Sequence, residues 1–323
     1  MLVEPHPPTS DELLTSRDLL RAGRITRALR GLETAVTGDI DPACAAVGLA
    51  SLLECRLARG ELALAGRVGD RLDPLTEQAG RTGAIAGHAL GELATARGEN
   101  ESAVTRYTHA GALLGADLDD SESVPWRSGA ALALTRLGRH REAAVLAAQH
   151  LELVRATGSS YAVAHALRTL AATNADGGRL RLLREARAAL IGVVADRLAA
   201  QIETDLAVLL TLQGGVSDEA VALLRSAEEY AGREDLFPLQ QRVRRMLERL
   251  GEQPRRIRSE SLASLTATEQ KAARLAADGL TNREIAAQLS VTVKAVEWHL
   301  SHVYRKLGIR SRTSLPDTLG VPA

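Results

Sequence analysis

GGVSDEAVALLRSAEEYA, residues 214–231, opens on a glycine turn and continues as a helix. Ser217 is suited to cap the first turn, and Asp218 and Glu219 place negative charge at the positive end of the helix dipole. Ala220, Leu224, Ala227 and Ala231 then recur at steps of 4, 3 and 4, one stripe on a 3.6-residue period. The stretch after Gly138 reads the same way, with Ala144, Ala148 and Leu151 on one side. Glycines, mostly followed by a charged residue, recur at Gly23, Gly60, Gly98, Gly138, Gly178, Gly214 and Gly251, at spacings of 37, 38, 40, 40, 36 and 37. A near-constant step with helical sequence on both sides describes a helical hairpin repeated end to end. Turn-rich stretches separate the hairpins at residues 38–42, 117–125 and 157–160. Leu236 to Arg249 gives one last helix, and Gly251 and Pro254 stop a partner from following it, so it reads as a terminal cap.

Composition agrees with an all-α chain. Of 323 residues 45% are hydrophobic, yet only one Phe, two Trp and four Tyr occur, so the core must be built from Ala, Leu and Val in close-packed helices. The array resembles a divergent tetratricopeptide-type solenoid in architecture only, because the 34-residue step and the aromatic positions of that family are absent. The resemblance implies a concave surface offered to a peptide or another protein.

The chain carries 40 Lys+Arg, of which only Lys271, Lys294 and Lys306 are lysine. No lysine before residue 271 means no phosphate-cradling Walker loop, kinase lysine, Schiff-base lysine or phospho-receiver lysine in the first 270 residues. The N-terminal stretch MLVEPHPPTSDELL has neither a basic region nor an apolar run, so a signal peptide is not expected. Apolar runs are too short to span a membrane, and a cytoplasmic location is expected. Cys44 and Cys55 on one helix would lie roughly 16 Å apart, beyond disulfide reach. His6, His88, His109, His140, His150 and His165 are scattered, with neither i, i+4 pairing nor a nearby cysteine pair, and Asp119, Asp120 and Glu122 read as a solvated loop. No metal site, cofactor site or catalytic constellation is expected, and hence no enzyme.

Charge divides the chain. Residues 254–323 hold 11 Lys+Arg and 6 Asp+Glu, a net of +5, which leaves −5 on the remainder of a neutral protein. Such asymmetry suits a nucleic-acid partner for the smaller part. The domain reading is a tail at 1–12, a repeat domain at 13–250, a linker at 251–263 containing the basic run Arg255-Arg256-Ile257-Arg258, and a second domain at 264–323. Thr266 with Glu269 forms one capping box and Thr281 with Glu284 another. A third helix follows Thr292, its core seam Val293, Val296, Leu300, Val303 and Leu307, with Gly308 as its end. Lys294, Glu297, Trp298, Ser301 and Arg305 occupy the opposite face. Two short helices and a tight turn, the second helix apolar on one side and polar on the other, make a helix-turn-helix whose polar face fits a major groove ~12 Å wide.

The stretch LTATEQKAARLAADGLTNREIAAQLSVTVKAVEWHLSHVYRKLGIRSR closely resembles the LuxR-type helix-turn-helix domain of bacterial transcription regulators. Leu265-Thr266, Glu269, Gly279, Asn282, Ile285-Ala286, Val296, His299-Leu300 and Lys306-Leu307-Gly308 carry the likeness. The resemblance implies base-facing roles for Lys294, Glu297, Trp298 and Ser301, with His302 open. Thr281, Asn282 and Thr292 then face phosphates from helix N-termini, and Arg305, Lys306 and Arg310 supply backbone charge. Three departures stand out. Glu297 replaces a position often basic, and Ala267-Thr268-Glu269 replaces the usual Pro-Arg-Glu. Pro316 and Gly320 also shorten the fourth helix, through which such domains pair, so a homodimer is left open. The full reading is an all-α protein, a tetratricopeptide-like helical-hairpin solenoid followed by a small four-helix helix-turn-helix domain. It resembles the large ATP-dependent LuxR-family regulators without their ATPase domain. Its expected role is a DNA-binding regulator whose repeats sense a protein, peptide or small effector. The alternative is an interaction adaptor whose DNA-binding domain is weak or vestigial.

Overall fold

Residues 10–37, 40–115, 122–157, 159–174, 177–214, 217–253, 255, 265–307, 309 and 311–315 are described by a computed structural model. Among them the chain is helical, without strands, and its contacts divide it into two units, Met1–Gln253 and Pro254–Ala323. The first unit pairs α1 (Ser10–Arg21) with α2 (Ile25–Ala35), α3 (Pro42–Arg59) with α4 (Leu62–Leu72) and α5 (Arg81–Arg97) with α6 (Asn100–Leu114). It continues with α7 (Trp126–Arg136) on α8 (His140–Thr157), α9 (Ser160–Thr173) on α10 (Arg179–Ala189) and α11 (Asp196–Gly214) on α12 (Asp218–Arg233). The single helix α13 (Phe237–Arg249) ends the unit.

The sequence pattern explains most of these elements and misplaces two details. Ser217 caps α12 by accepting the Ala220 N–H at 3.1 Å, and Ala220, Leu224, Ala227 and Ala231 are all buried. In the fifth hairpin Gly177, at φ +82°, makes the left-handed turn, whereas Gly178 takes φ −78° as the N-cap of α10. On α8 the buried face is Ala143, Ala147, Leu151 and Val154, while Ala148 is exposed and Ala144 half-buried. That helix carries alanines on adjacent stripes, so hydrophobic contrast alone does not select between them.

Small residues set how closely the helices approach. The Tyr107 ring of α6 lies in a slot left by Gly91 of α5 and Gly129 of α7; a Cβ on Gly91 would sit 2.7 Å from that ring. Aromatic burial in an aromatic-poor chain thus depends on missing side chains opposite.

The array does not stay open. The turn between α1 and α2 packs against α11 and α12: Tyr230 donates its hydroxyl to the Gly23 carbonyl at 2.7 Å, and Asp196 donates its N–H to the Ala22 carbonyl at 3.2 Å. Buried Glu234 accepts from the Thr26 N–H at 3.0 Å, and Arg24 pairs with Asp196 at 2.9 Å. The last helix also rests on α3, with Pro238 against Gly60. Behind this seam Glu228, 1% exposed, is held by Arg225 at 2.9 Å and Arg244 at 3.3 Å, which ties α12 to α13.

The second unit holds α14 (Ala267–Ala277), α15 (Asn282–Leu289), α16 (Val293–Leu307) and a 3₁₀ turn at Arg312–Ser314. Its core is Leu265, Ala272, Ala273, Ala276, Ile285, Ala286, Val296, Leu300, Val303 and Leu315. Val293, assigned to the seam from sequence, is 37% exposed, because the first helical residue precedes the packed turn. The expected fourth helix, with Pro316 and Gly320, lies outside the described residues.

The closure seam makes a direct prediction. Tyr230→Phe strands the buried Gly23 carbonyl and lowers unfolding free energy by about 1–3 kcal/mol in urea titration. Ser301→Ala, on an exposed surface of the second unit, leaves it unchanged within about 0.5 kcal/mol. Equal stability of the Tyr230→Phe and wild-type chains would show that the seam contributes nothing.

Candidate nucleic-acid interface

Three N-terminal caps fix the second unit. Thr266 and Glu269 complete a reciprocal capping box on α14, and Thr281 and Glu284 complete another on α15. Thr292 accepts the Ala295 N–H at 3.1 Å and caps α16. Ser290, in the left-handed region at φ 55°, makes the tight turn between α15 and α16.

α16 therefore meets the core along Val296, Leu300 and Val303, and its far side faces outward. Lys294, Glu297, Trp298, Ser301 and Arg305 are all exposed, Trp298 by 57%. These five residue types can donate to base edges and phosphates, accept from an exocyclic amine, and stack. The Trp298 indole lies 4.0 Å from the His302 ring at 35°, and His302 Nδ1 stands 2.9 Å from the Trp298 carbonyl. A carbonyl only accepts, so Nδ1 carries the proton and His302 braces the indole.

Other predicted site residues are engaged within the unit. Lys306 donates to Glu269 at 2.7 Å, and Glu269 is buried. The Lys306 ammonium and the Thr266 N–H and hydroxyl hold the Glu269 carboxyl down at about 2. Lys306, expected to supply backbone charge, is here the counter-ion of a capping carboxylate. The Thr281 hydroxyl donates to Glu284 at 2.8 Å, and bonds from Thr281 lower the Glu284 carboxyl. At that helix end the hydroxyl is occupied and a carboxylate already sits on the N-terminus. Asn282 accepts from Arg312 at 3.2 Å. Arg310 lies outside the described residues.

Sequence reasoning missed Arg312. Its guanidinium bonds Asn282, the Ala276 carbonyl at 3.0 Å and the Leu280 carbonyl, clamping the turn between α14 and α15. An arginine just beyond α16 gives no periodic signal, so only the fold shows its partners. Among the described residues no group of three metal-binding side chains occurs, and no helix is long and apolar enough to cross a membrane.

Residues 263–318 match the family described as bacterial regulatory proteins, luxR family. A protein of Mycobacterium bovis named as an HTH-type transcriptional regulator is 50% identical over 54 residues, covering 17% of this chain and 6% of that protein. The response regulator Rre1 of Synechocystis is 37% identical over 109 residues, 30% of this chain and 47% of its own length. The chain thus spans less than half the length of these relatives. The apo form of the quorum sensor NprR from B. thuringiensis aligns over 92% of this chain and 98% of its own at 11% identity and a TM-score of 0.40, too distant to carry an argument. Capping, core seam, outward polar face and family match agree: the C-terminal unit is a LuxR-family helix-turn-helix domain.

Proposed function

We propose that the chain is a transcription regulator that binds double-stranded DNA sequence-specifically through α16, and that its helical array senses the signal controlling it. The observation that carries the first part is the outward face Lys294–Glu297–Trp298–Ser301–Arg305, set on a capped helix in a LuxR-family domain. Lys294 and Ser301 donate to base edges, Trp298 covers an apolar base edge, and Glu297 accepts from a cytosine amine. Arg305 supplies the charge that faces phosphate. The relatives named as a transcriptional regulator and a response regulator support this reading. The sensing role rests on the closed helical array of the first unit and on the polar-lined cavity within it.

Lys294→Ala and Ser301→Ala each weaken binding to the preferred sequence by about 1–3 kcal/mol in fluorescence anisotropy, with smaller losses on random DNA. Equal losses on both DNAs would remove the base-reading assignment. If no DNA sequence is preferred at all, the adaptor reading takes over, in which the repeats do the work.

Two neighbouring cations should behave differently. Arg305→Ala lowers the slope of log affinity against log salt by about one. Lys306→Met leaves that slope within about 0.3, because its charge is spent on Glu269. It instead lowers amide protection in residues 267–277 in hydrogen exchange on the full chain. Glu269 also sets an acid limit. Its carboxyl lies well below the ordinary value of 4.5, so its stabilisation is full above that pH and is lost as pH falls through about 2.

A further inference from the structure

Inside the first unit the inner faces of α1, α3, α5, α8 and α9 surround a cavity of about 150 Å³. At roughly 10–15 Å³ per water, that is room for on the order of ten waters, or for one small molecule. Its wall is not apolar: Glu54, His88, Glu92, His150, Tyr161 and His165 all line it. Each lies deep in the unit, and five of the six, His150 being the fully buried one, keep part of their surface open.

Most charges in this chamber are engaged, Arg17 on its α1 wall among them. Arg21 meets Glu122 at 2.7 Å and lies over the Tyr161 ring at 5.3 Å. Arg197 of α11 pairs with Glu54. The carboxylate left over is Glu92, which has neither an ion pair nor a hydrogen bond among the described residues. Glu54, Arg197, Tyr107 and Tyr161 act on it electrostatically, and His88 precedes it by one turn of α5. Neither His88 nor His165 supplies a cation at neutral pH. Burial pushes His88 down to about 4, and burial with His150 and Arg168 pushes His165 down to about 3. No third ligand stands near enough for a metal ion among the described residues.

We propose that this chamber is the effector site of the array, and that it takes a small aliphatic ammonium compound whose charged head seats against Glu92 beside Glu54. This deepens the sensing role proposed above and names the chemistry that role reads. An ammonium group supplies the missing counter-charge with three donors, and the half-open imidazoles and Tyr161 offer acceptors and an aromatic wall to the rest of the molecule. The electrostatics agree. Burial first, and Glu54 second, push the empty site's Glu92 carboxyl up to about 8. At pH 7 the empty site holds a proton there, and a bound cation expels it.

The test is calorimetry on the full-length chain without DNA, using methylamine, butylamine, 1,4-diaminobutane and, as the uncharged counterpart, 1-butanol. The expected result is binding of at least one amine tighter than about 1 mM, with no binding of the alcohol. At pH 7 about one proton is released per amine bound, read from buffers of different ionisation enthalpy, and at pH 9 almost none. Glu92→Gln, similar in shape and neutral, keeps the wild-type helical signal and melting transition, weakens the amine at least about tenfold and abolishes proton release. No amine binding, equal binding to the Glu92→Gln chain, or preference for the alcohol would each overturn the proposal. Anisotropy on DNA in the absence of amine reports separately on the DNA-binding reading, so failure of one is distinguishable from failure of the other.

Discussion

Gly23 has no room for a side chain. A Cβ there would lie 2.7 Å from the Arg197 nitrogen and 2.9 Å from the Tyr230 hydroxyl, and its φ of +85° is one that other residues rarely adopt. The first turn of the array is pressed into its sixth hairpin at this point. The rest of the first unit follows from that contact. Once the ends meet, α1, α3, α5, α8 and α9 line one partly open cavity. Polar residues there lose most of their contact with water and line a chamber that holds Glu92 without an ion pair among the described residues. An open solenoid would have offered the same residues to water, where His88, His165 and Glu92 would keep their usual titration.

The second unit follows a different logic. Its three helices are short, so their ends make up a large share of the structure, and capping contributes accordingly. Two capping boxes, one threonine cap and the Arg312 clamp satisfy those ends. This rigidity serves α16. A recognition face is useful only if its side chains arrive at fixed positions, and a helix anchored by Val296, Leu300 and Val303 provides that. Lys306 belongs to the same scaffold although it lies beside Arg305 in the sequence.

What was legible in the sequence was whatever repeats or obeys a local rule. Glycine spacing gave the hairpins, Ser217 and the two Thr–Glu pairs gave helix starts, and the 3-and-4 stepping of α16 separated its inner face from its outer one. Contacts between distant residues were not legible. Thr26 meets Glu234 across 208 positions and Lys306 meets Glu269 across 37, and neither pairing has a spacing to read. The alanine stripe of α8 was misread because two adjacent stripes are nearly equal in hydrophobicity. The chamber left one faint trace: His88 and Glu92 stand four apart in α5, a helix otherwise rich in Gly, Ala and Leu around them. An ionisable pair on one face of a buried helix is a signal that scattered-histidine counting passes over.

The proposed function turns on whether α16 selects DNA by sequence. It is tested most directly by selecting genomic fragments with the full-length protein at physiological salt and sequencing those retained. One recurrent motif is expected, enriched over input by at least about a thousandfold per site at saturation, the ratio typical of specific over non-specific binding. Retention that follows fragment length alone, with no shared motif, would contradict it.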